Sequence, residues 1–234
     1  MASTLRSEPV RRSRAEDVYE QLKLDIAEFR LLPGDRFSEN ALCDKLAVSR
    51  TPVRQALTRL QQEGYVEVLF RSGWRVLPFD FVRFEQLYDL RTILETAAVQ
   101  RLCVGTLAVA SDLLDELMAL WLVPVADRSL DAAQVARWDE DFHCALVAAV
   151  GNTEMTRLHR DITERIRIVR RLDFTEAARI AVTYEEHGKI LSAIRARRAD
   201  TATMLLRAHI GTSQAEVRRI TLHQMHRARG GQCP

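Results

Sequence analysis

Residues 38–64, SENALCDKLAVSRTPVRQALTRLQQEG, constrain the fold more than any other stretch, because they read as two short helices joined by a tight turn. Ser38 can cap a first helix whose apolar positions Leu42 and Leu46 fall four apart, and Ala47-Val48 then break the pattern before Ser49 caps a second. Pro52 suits a first helical turn, where its missing N–H has no intrahelical role. Val53, Ala56, Leu57 and Leu60 then form an apolar stripe that ends at Gly64. The opposite face carries Ser49, Arg50, Thr51, Arg54, Gln55 and Arg59. A cationic helix braced by a preceding one is what major-groove reading by a helix-turn-helix requires.

The flanks extend this unit. Val18, Leu22, Ile26 and Phe29 predict a helix from about Arg14 that stops before Pro33-Gly34. After Gly64 the period changes: residues 65–70 are strand-like, Arg71-Ser72-Gly73 can turn, and residues 74–77 can return antiparallel, with Trp74 packed into the hairpin. Three helices and a hairpin make a winged helix-turn-helix. Arg71 and Gly73 would sit at the wing tip, where backbone without a side chain can approach a phosphate. Residues 1–13 are polar, aperiodic and expected to form a flexible arm.

Net charge is +2, so any attraction to nucleic acid must be local. It is: between Ser49 and Arg75 lie five arginines against Glu63 and Glu67. No apolar run reaches the roughly 18 residues that span a bilayer, and the N-terminus lacks an apolar signal core, so no membrane partner and a cytoplasmic location are expected. Cys43, Cys103, Cys144 and Cys233 are scattered without Cys-x-x-Cys pairing, which argues against a disulfide framework or a thiolate metal site. Three of them are expected to pack as small apolar groups.

From residue 79 the pattern is helical throughout, with helices expected at about 83–103, 108–122, 131–150, 154–171, 176–197 and 201–226. Gly105, Val123-Pro124, Gly151-Asn152 and Ala199-Asp200 separate them. The fold class is therefore mostly α: an N-terminal winged helix-turn-helix over 14–78, then an antiparallel all-α helical bundle over 79–228 and a flexible tail over 229–234. Within the bundle, Asp139 and His143 lie one turn apart on one helix, while His187 and His209 lie on two others. Converging, they could hold a divalent transition metal through nitrogen and oxygen donors. On spacing alone, the reading of His143 as a hydrogen-bonded core histidine and Asp139 as a surface acid is favoured over a metal site.

The run LLPGDRFSENALCDKLAVSRTPVRQALTRLQQEGYVEVLFRSGWRV resembles the winged-helix domain of the GntR family of bacterial transcription regulators. The resemblance implies contacts to operator DNA from Ser49, Arg50, Thr51 and Arg54, with Arg71 and Gly73 contributing from the wing. Some members carry a DNA-contacting arginine in the preceding helix, where this chain has Asn40. Likewise WDEDFHCAL, YEEHGKILSAI and MLLRAHI resemble the three metal-ligand motifs of the FCD domain, the effector-binding half of one GntR subfamily. That implies Asp139, His143, His187 and His209 as ligands of a divalent transition metal, zinc foremost, with nickel or manganese as alternatives.

His159, His223 and His226 match no motif and are expected at the surface. In LYDLRTILETAAV, Arg91 resembles an arginine that faces the effector cavity and pairs with an acidic ligand; its other reading is a surface i,i+4 pair with Glu95. Asn152 is a candidate effector contact or a plain helix cap. The resemblance implies a homodimeric, ligand-responsive regulator, a repressor of a pseudo-palindromic operator, that senses a small carboxylic acid and is not an enzyme. Two alternatives stay open: a metal-dependent hydrolase-type enzyme using the Asp/His3 site, and a DNA-binding protein with a purely structural metal.

Overall fold

The computed structural model describes residues 13–28, 30–78, 80–105, 111–174, 177–217 and 219. The chain divides into two compact units, Met1–Phe79 and Asp80–Pro234. The sequence expectations for residues 1–12, Phe29, Cys233, His223, His226 and the tail lie outside the described residues.

In the first unit, α1 spans Arg14–Ala27, α2 Glu39–Leu46 and α3 Arg50–Gln62. Serines start the first two: Ser13 Oγ accepts from the Glu16 amide and Ser38 Oγ from the Ala41 amide, each at 3.1 Å. Ser49 occupies the cap position of α3 with extended backbone but makes no side-chain cap bond, contrary to expectation. Ala47, in the left-handed region at φ 52°, makes the turn between α2 and α3. Val18, Leu22 and Ile26 of α1 and Val53, Leu57 and Leu60 of α3 are buried. Each such side chain contributes roughly 1.5–3 kcal/mol on leaving water.

The wing has one strand more than the sequence suggests. Strands β2 (Val66–Leu69) and β3 (Gly73–Val76) pair antiparallel, and the two-residue β1 (Arg36–Phe37) adds to the other edge of β3, giving the order β1-β3-β2. Two residues offer no alternation to detect, which is why β1 is silent in the sequence. It also changes the reading of Gly73, which opens β3 opposite Leu69. Its φ is +84°, and a Cβ there would lie 2.5 Å from the Phe37 carbonyl oxygen. Packing against β1 accounts for this glycine. Gly73→Ala is expected to cost at least about 1–3 kcal/mol of stability in a urea melt; an unchanged midpoint would contradict the close approach.

Asp25 is buried and accepts from Lys45 Nζ (2.8 Å), Arg30 Nε (2.7 Å) and Gln21 Nε2 (2.8 Å). Burial alone would raise its pKa, but these hydrogen bonds hold it below the ordinary 3.8. A carboxyl depressed in this way contributes stability above its unfolded pKa and loses it as pH falls through the folded one. The first unit should therefore weaken as pH drops below about 4. Asp25→Asn should flatten that dependence in acid titrations followed by circular dichroism.

In the second unit, α4 (Phe81–Val104) packs against α9 (Ala199–Val217), α7 (Thr153–Asp173) and α6 (Ala132–Ala148), while α5 (Ser111–Trp121) lies on α8 (Ala177–Arg195). A single 3-10 turn at Val125–Asp127 links α5 and α6. Short connections between six helices make the antiparallel bundle. The last turn falls at residues 196–198 rather than Ala199-Asp200: Arg197 takes φ 55°, while Arg198 N reaches Ala193 O and Arg197 N reaches Ile194 O, each at 2.9 Å. This is a Schellman closure made without glycine, so its sequence signal is weak. Cys103 is buried, and Cys43 and Cys144 are half-buried. No described helix is long and apolar enough to cross a membrane.

Candidate functional site

At the exposed start of α3, Ser49, Arg50, Thr51 and Arg54 all face solvent. The helix N-terminus adds backbone N–H groups and a partial positive charge to the arginines, which suits phosphate. Arg54 Nε lies 2.8 Å from Glu39 of α2, an exposed pair that costs little to open. Arg59, counted on the same polar face in the sequence, is used inside the domain. It bridges to Glu16 (2.9 Å) and Glu63 (3.1 Å), and its guanidinium lies 3.7 Å over the Tyr19 ring. On the wing, Arg71 sits at the turn with φ 59°, its guanidinium 5.1 Å from the exposed Phe70 ring. Asn40 is exposed early in α2.

In the bundle the four metal-ligand candidates are buried, and one donor atom of each lies within 4.8 Å of all the others. Each arrives there because it occupies a core position of its helix: Asp139 and His143 between Val135 and Leu146, His187 between Ile180 and Ile194, His209 beside Leu206 and Ile210. His209 Nε2 is 3.1 Å from His143 Nε2 and 3.4 Å from His187 Nε2. Asp139 Oδ1 is 3.2, 3.6 and 3.8 Å from Nε2 of His187, His143 and His209. Donors about 2.1 Å from a common ion stand about 3.0 Å apart in an octahedron and about 3.4 Å apart in a tetrahedron, so the spacing fits a metal.

Protonation points the same way. His143 Nδ1 donates to Glu95 Oε2 (2.5 Å) and His209 Nδ1 to Glu186 Oε2 (2.7 Å), which leaves both Nε2 atoms as bare lone pairs facing one another. Two lone pairs at that separation are stabilised by a cation between them. Burial pushes all three imidazoles down to about 4, so they are neutral and ready to ligate at neutral pH. His187 is positioned differently: its ring stacks on Phe142 at 3.7 Å and meets the Trp121 ring at 4.2 Å, and its Nδ1 has no partner among the described residues.

Arginines surround the centre. Arg170 donates to Asp139 Oδ2; burial opposes that carboxylate, and the Arg170 charge with His143 and His187 overrides it, holding Asp139 well below the usual range. Arg91 Nε donates to Glu95 Oε1 at 2.6 Å. Glu95, fully buried, is likewise held far down against its burial by Arg91, His143 and His159. The Arg91–Glu95 pair exists, but in the core rather than on a helix surface, and the arginine on the acidic ligand Asp139 is Arg170. His159 also corrects its expected surface placement: it is buried, with Nε2 donating to Glu95 Oε1 at 2.9 Å. Asn152 is exposed, and its Oδ1 accepts from the Met155 amide at 3.0 Å, capping α7. Arg179 Nη1 braces Glu186 at 2.9 Å.

Because Glu186 fixes the tautomer of His209, Glu186→Gln is expected to weaken metal binding about 10–100-fold in competition with a chromophoric chelator. An unchanged affinity would remove Glu186 from the centre.

Comparisons with known proteins agree with both halves of the chain. Residues 14–76 match the family model described as bacterial regulatory proteins, gntR family, and residues 86–212 match the FCD domain. The Nta operon transcriptional regulator of Aminobacter aminovorans is 33% identical over 188 residues, covering 78% of this chain and 84% of that protein. The transcriptional repressor GlaR of Escherichia coli K12 is 25% identical over 210 residues, covering 84% of this chain and 92% of the relative. A crystal structure of a GntR regulator from Rhodococcus sp. RHA1 shares the fold at TM-score 0.70 and 24% identity, covering 89% of this chain and 99% of that one. The family and these relatives are transcriptional regulators rather than enzymes, which removes the hydrolase alternative. A winged reading domain joined to a helical domain with a buried Asp/His3 group is thus matched along both its parts: the chain belongs to the GntR family of bacterial DNA-binding transcriptional regulators, in the branch that carries an FCD domain.

Proposed function

We propose that this regulator is a repressor that binds a pseudo-palindromic operator as a homodimer, and that a small carboxylic acid held at a metal in the FCD domain weakens its grip on DNA. Asp139, His143, His187 and His209 would hold the ion, with zinc favoured by the buried nitrogen-rich set and nickel or manganese as alternatives. When bound, the ion supplies positive charge at which a carboxylate can dock. Ser49, Arg50, Thr51, Arg54 and the wing residues Arg71 and Gly73 would meet the operator.

One observation carries the acid. Around the centre, Arg91 Nη2 and Arg170 Nη1 are buried N–H groups without an acceptor among the described residues. Unspent guanidinium donors beside a cation suit an organic anion, and they favour Arg91 and Arg170 as effector contacts over the capping residue Asn152. The purely structural reading of the metal leaves these donors without a purpose. For regulation, the acid must bind the DNA-competent and released states unequally, since equal affinity shifts nothing.

The test is a thermal-shift panel of mono- and dicarboxylates on the metal-loaded chain. At least one acid should raise the melting temperature of the wild type and leave His187→Ala unmoved. A rise of equal size in both proteins would place the acid elsewhere, and a panel without any response would overturn the reading.

A further inference from the structure

We propose that the cleft between the end of α5, α8 and the start of α9 is a second ligand site, separate from the metal centre and suited to a flat aromatic carboxylate. Its volume is about 450 Å³, within the range of small-molecule sites. Trp121, Leu122, Tyr184 and Leu205 supply apolar walls, and Gly188 lies in the lining. A Cβ on Gly188 would stand 2.7 Å from Leu122 Cδ2, so glycine is what lets the residue after α5 lie directly on α8.

Positive charge lines this cleft. Lys189 and Arg198 line it, are exposed, and have no acidic partner among the described residues. Arg128 also lines it, tied to Glu185 at 2.6 Å and with its guanidinium 5.1 Å from the Tyr184 ring centre. Two further observations point to a missing acceptor: Trp121 Nε1 and Arg128 Nε are buried N–H donors without a partner among the described residues. Buried donors of this kind are rare in proteins unless a ligand or water completes them. An aromatic acid satisfies both demands, its ring against Leu122 and Leu205 and its carboxylate among the cations.

The cleft also adjoins the metal centre without being part of it. The Trp121 ring stands 5.0 Å from the Tyr184 ring on the cleft wall and 4.2 Å from the ring of the metal-ligand candidate His187. Trp121 therefore links the packing beneath the cleft to the packing that orients His187.

The experiment is calorimetric titration of 2-naphthoate into the full metal-loaded chain, the wild type against three variants. Ser192→Phe fills the cleft from an exposed position whose only described side-chain bond runs to the Gly188 carbonyl, and Lys189→Glu reverses an exposed charge. Each is expected to weaken binding at least about tenfold, while Arg157→Ala, at an exposed position on α7 away from the cleft and the metal centre, keeps it within about threefold. No binding at millimolar 2-naphthoate overturns the proposal. So does binding lost with Arg157→Ala, and so does binding indifferent to both Ser192→Phe and Lys189→Glu. The acid proposed at the metal is tested by other variants, so either proposal can fail alone.

Discussion

Stripping the metal from the FCD domain is expected to lower its melting temperature by about 8–16 °C. Free metal at about a thousand times its dissociation constant contributes about 4 kcal/mol to the folded state, and in a chain of this size about 1 kcal/mol moves the midpoint by about 2–4 °C. The physical source is local. Without a cation, the bare Nε2 atoms of His143 and His209 face each other at 3.1 Å, and among the described residues Asp139 has Arg170 as its one cationic partner. Calorimetric melts before and after dialysis against a chelator give the shift directly. The double variant His143→Ala/His209→Ala should begin low and show no chelator-dependent change. A wild-type midpoint that does not move would mean that the four donors hold no ion.

The second large effect concerns DNA. Replacing Arg50 and Arg54 together by alanine is expected to reduce operator affinity about 10²–10⁴-fold, at roughly 1–3 kcal/mol for each arginine that reads a base edge. Should either arginine contact a phosphate instead, the slope of log affinity against log salt should shrink by about one per residue. Both side chains are exposed, so the domain should remain folded, and anisotropy titrations against an operator duplex selected with the wild-type protein can measure the loss. Glu39→Gln serves as an opposite control, because it releases Arg54 from its one described carboxylate partner and should tighten binding slightly. Wild-type affinity in the double variant would move the reading surface away from the start of α3.

The two helices of the reading domain were legible because each carries its own local instructions: Ser38 caps α2, Pro52 sits in the first turn of α3, and Val53, Ala56, Leu57 and Leu60 repeat at helical spacing. The strand β1 was not, since a two-residue strand has no period and exists through its partner β3. In the bundle, the motifs named the four ligand candidates, yet sequence could not show their convergence, which depends on how three helices pack. Glu95, His159 and Arg170 were missed although a signal was present. On α7, His159 and Arg170 fall on the same stripe as Met155, Ile162 and Ile166, and on α4, Glu95 falls with Tyr88, Ala98 and Leu102. Polar residues at core positions of an amphipathic helix are paired when buried. Reading Glu95 as a surface partner of Arg91 overlooked that stripe.

Operator titration of the full metal-loaded regulator, with and without the acid that raises its melting temperature, shows whether acid at the metal releases DNA. The acid is expected to weaken operator binding by about tenfold or more in the wild type. The same acid should leave His187→Ala indifferent while that variant still binds operator DNA. Equal operator affinity with and without the acid in the wild type would contradict this expectation.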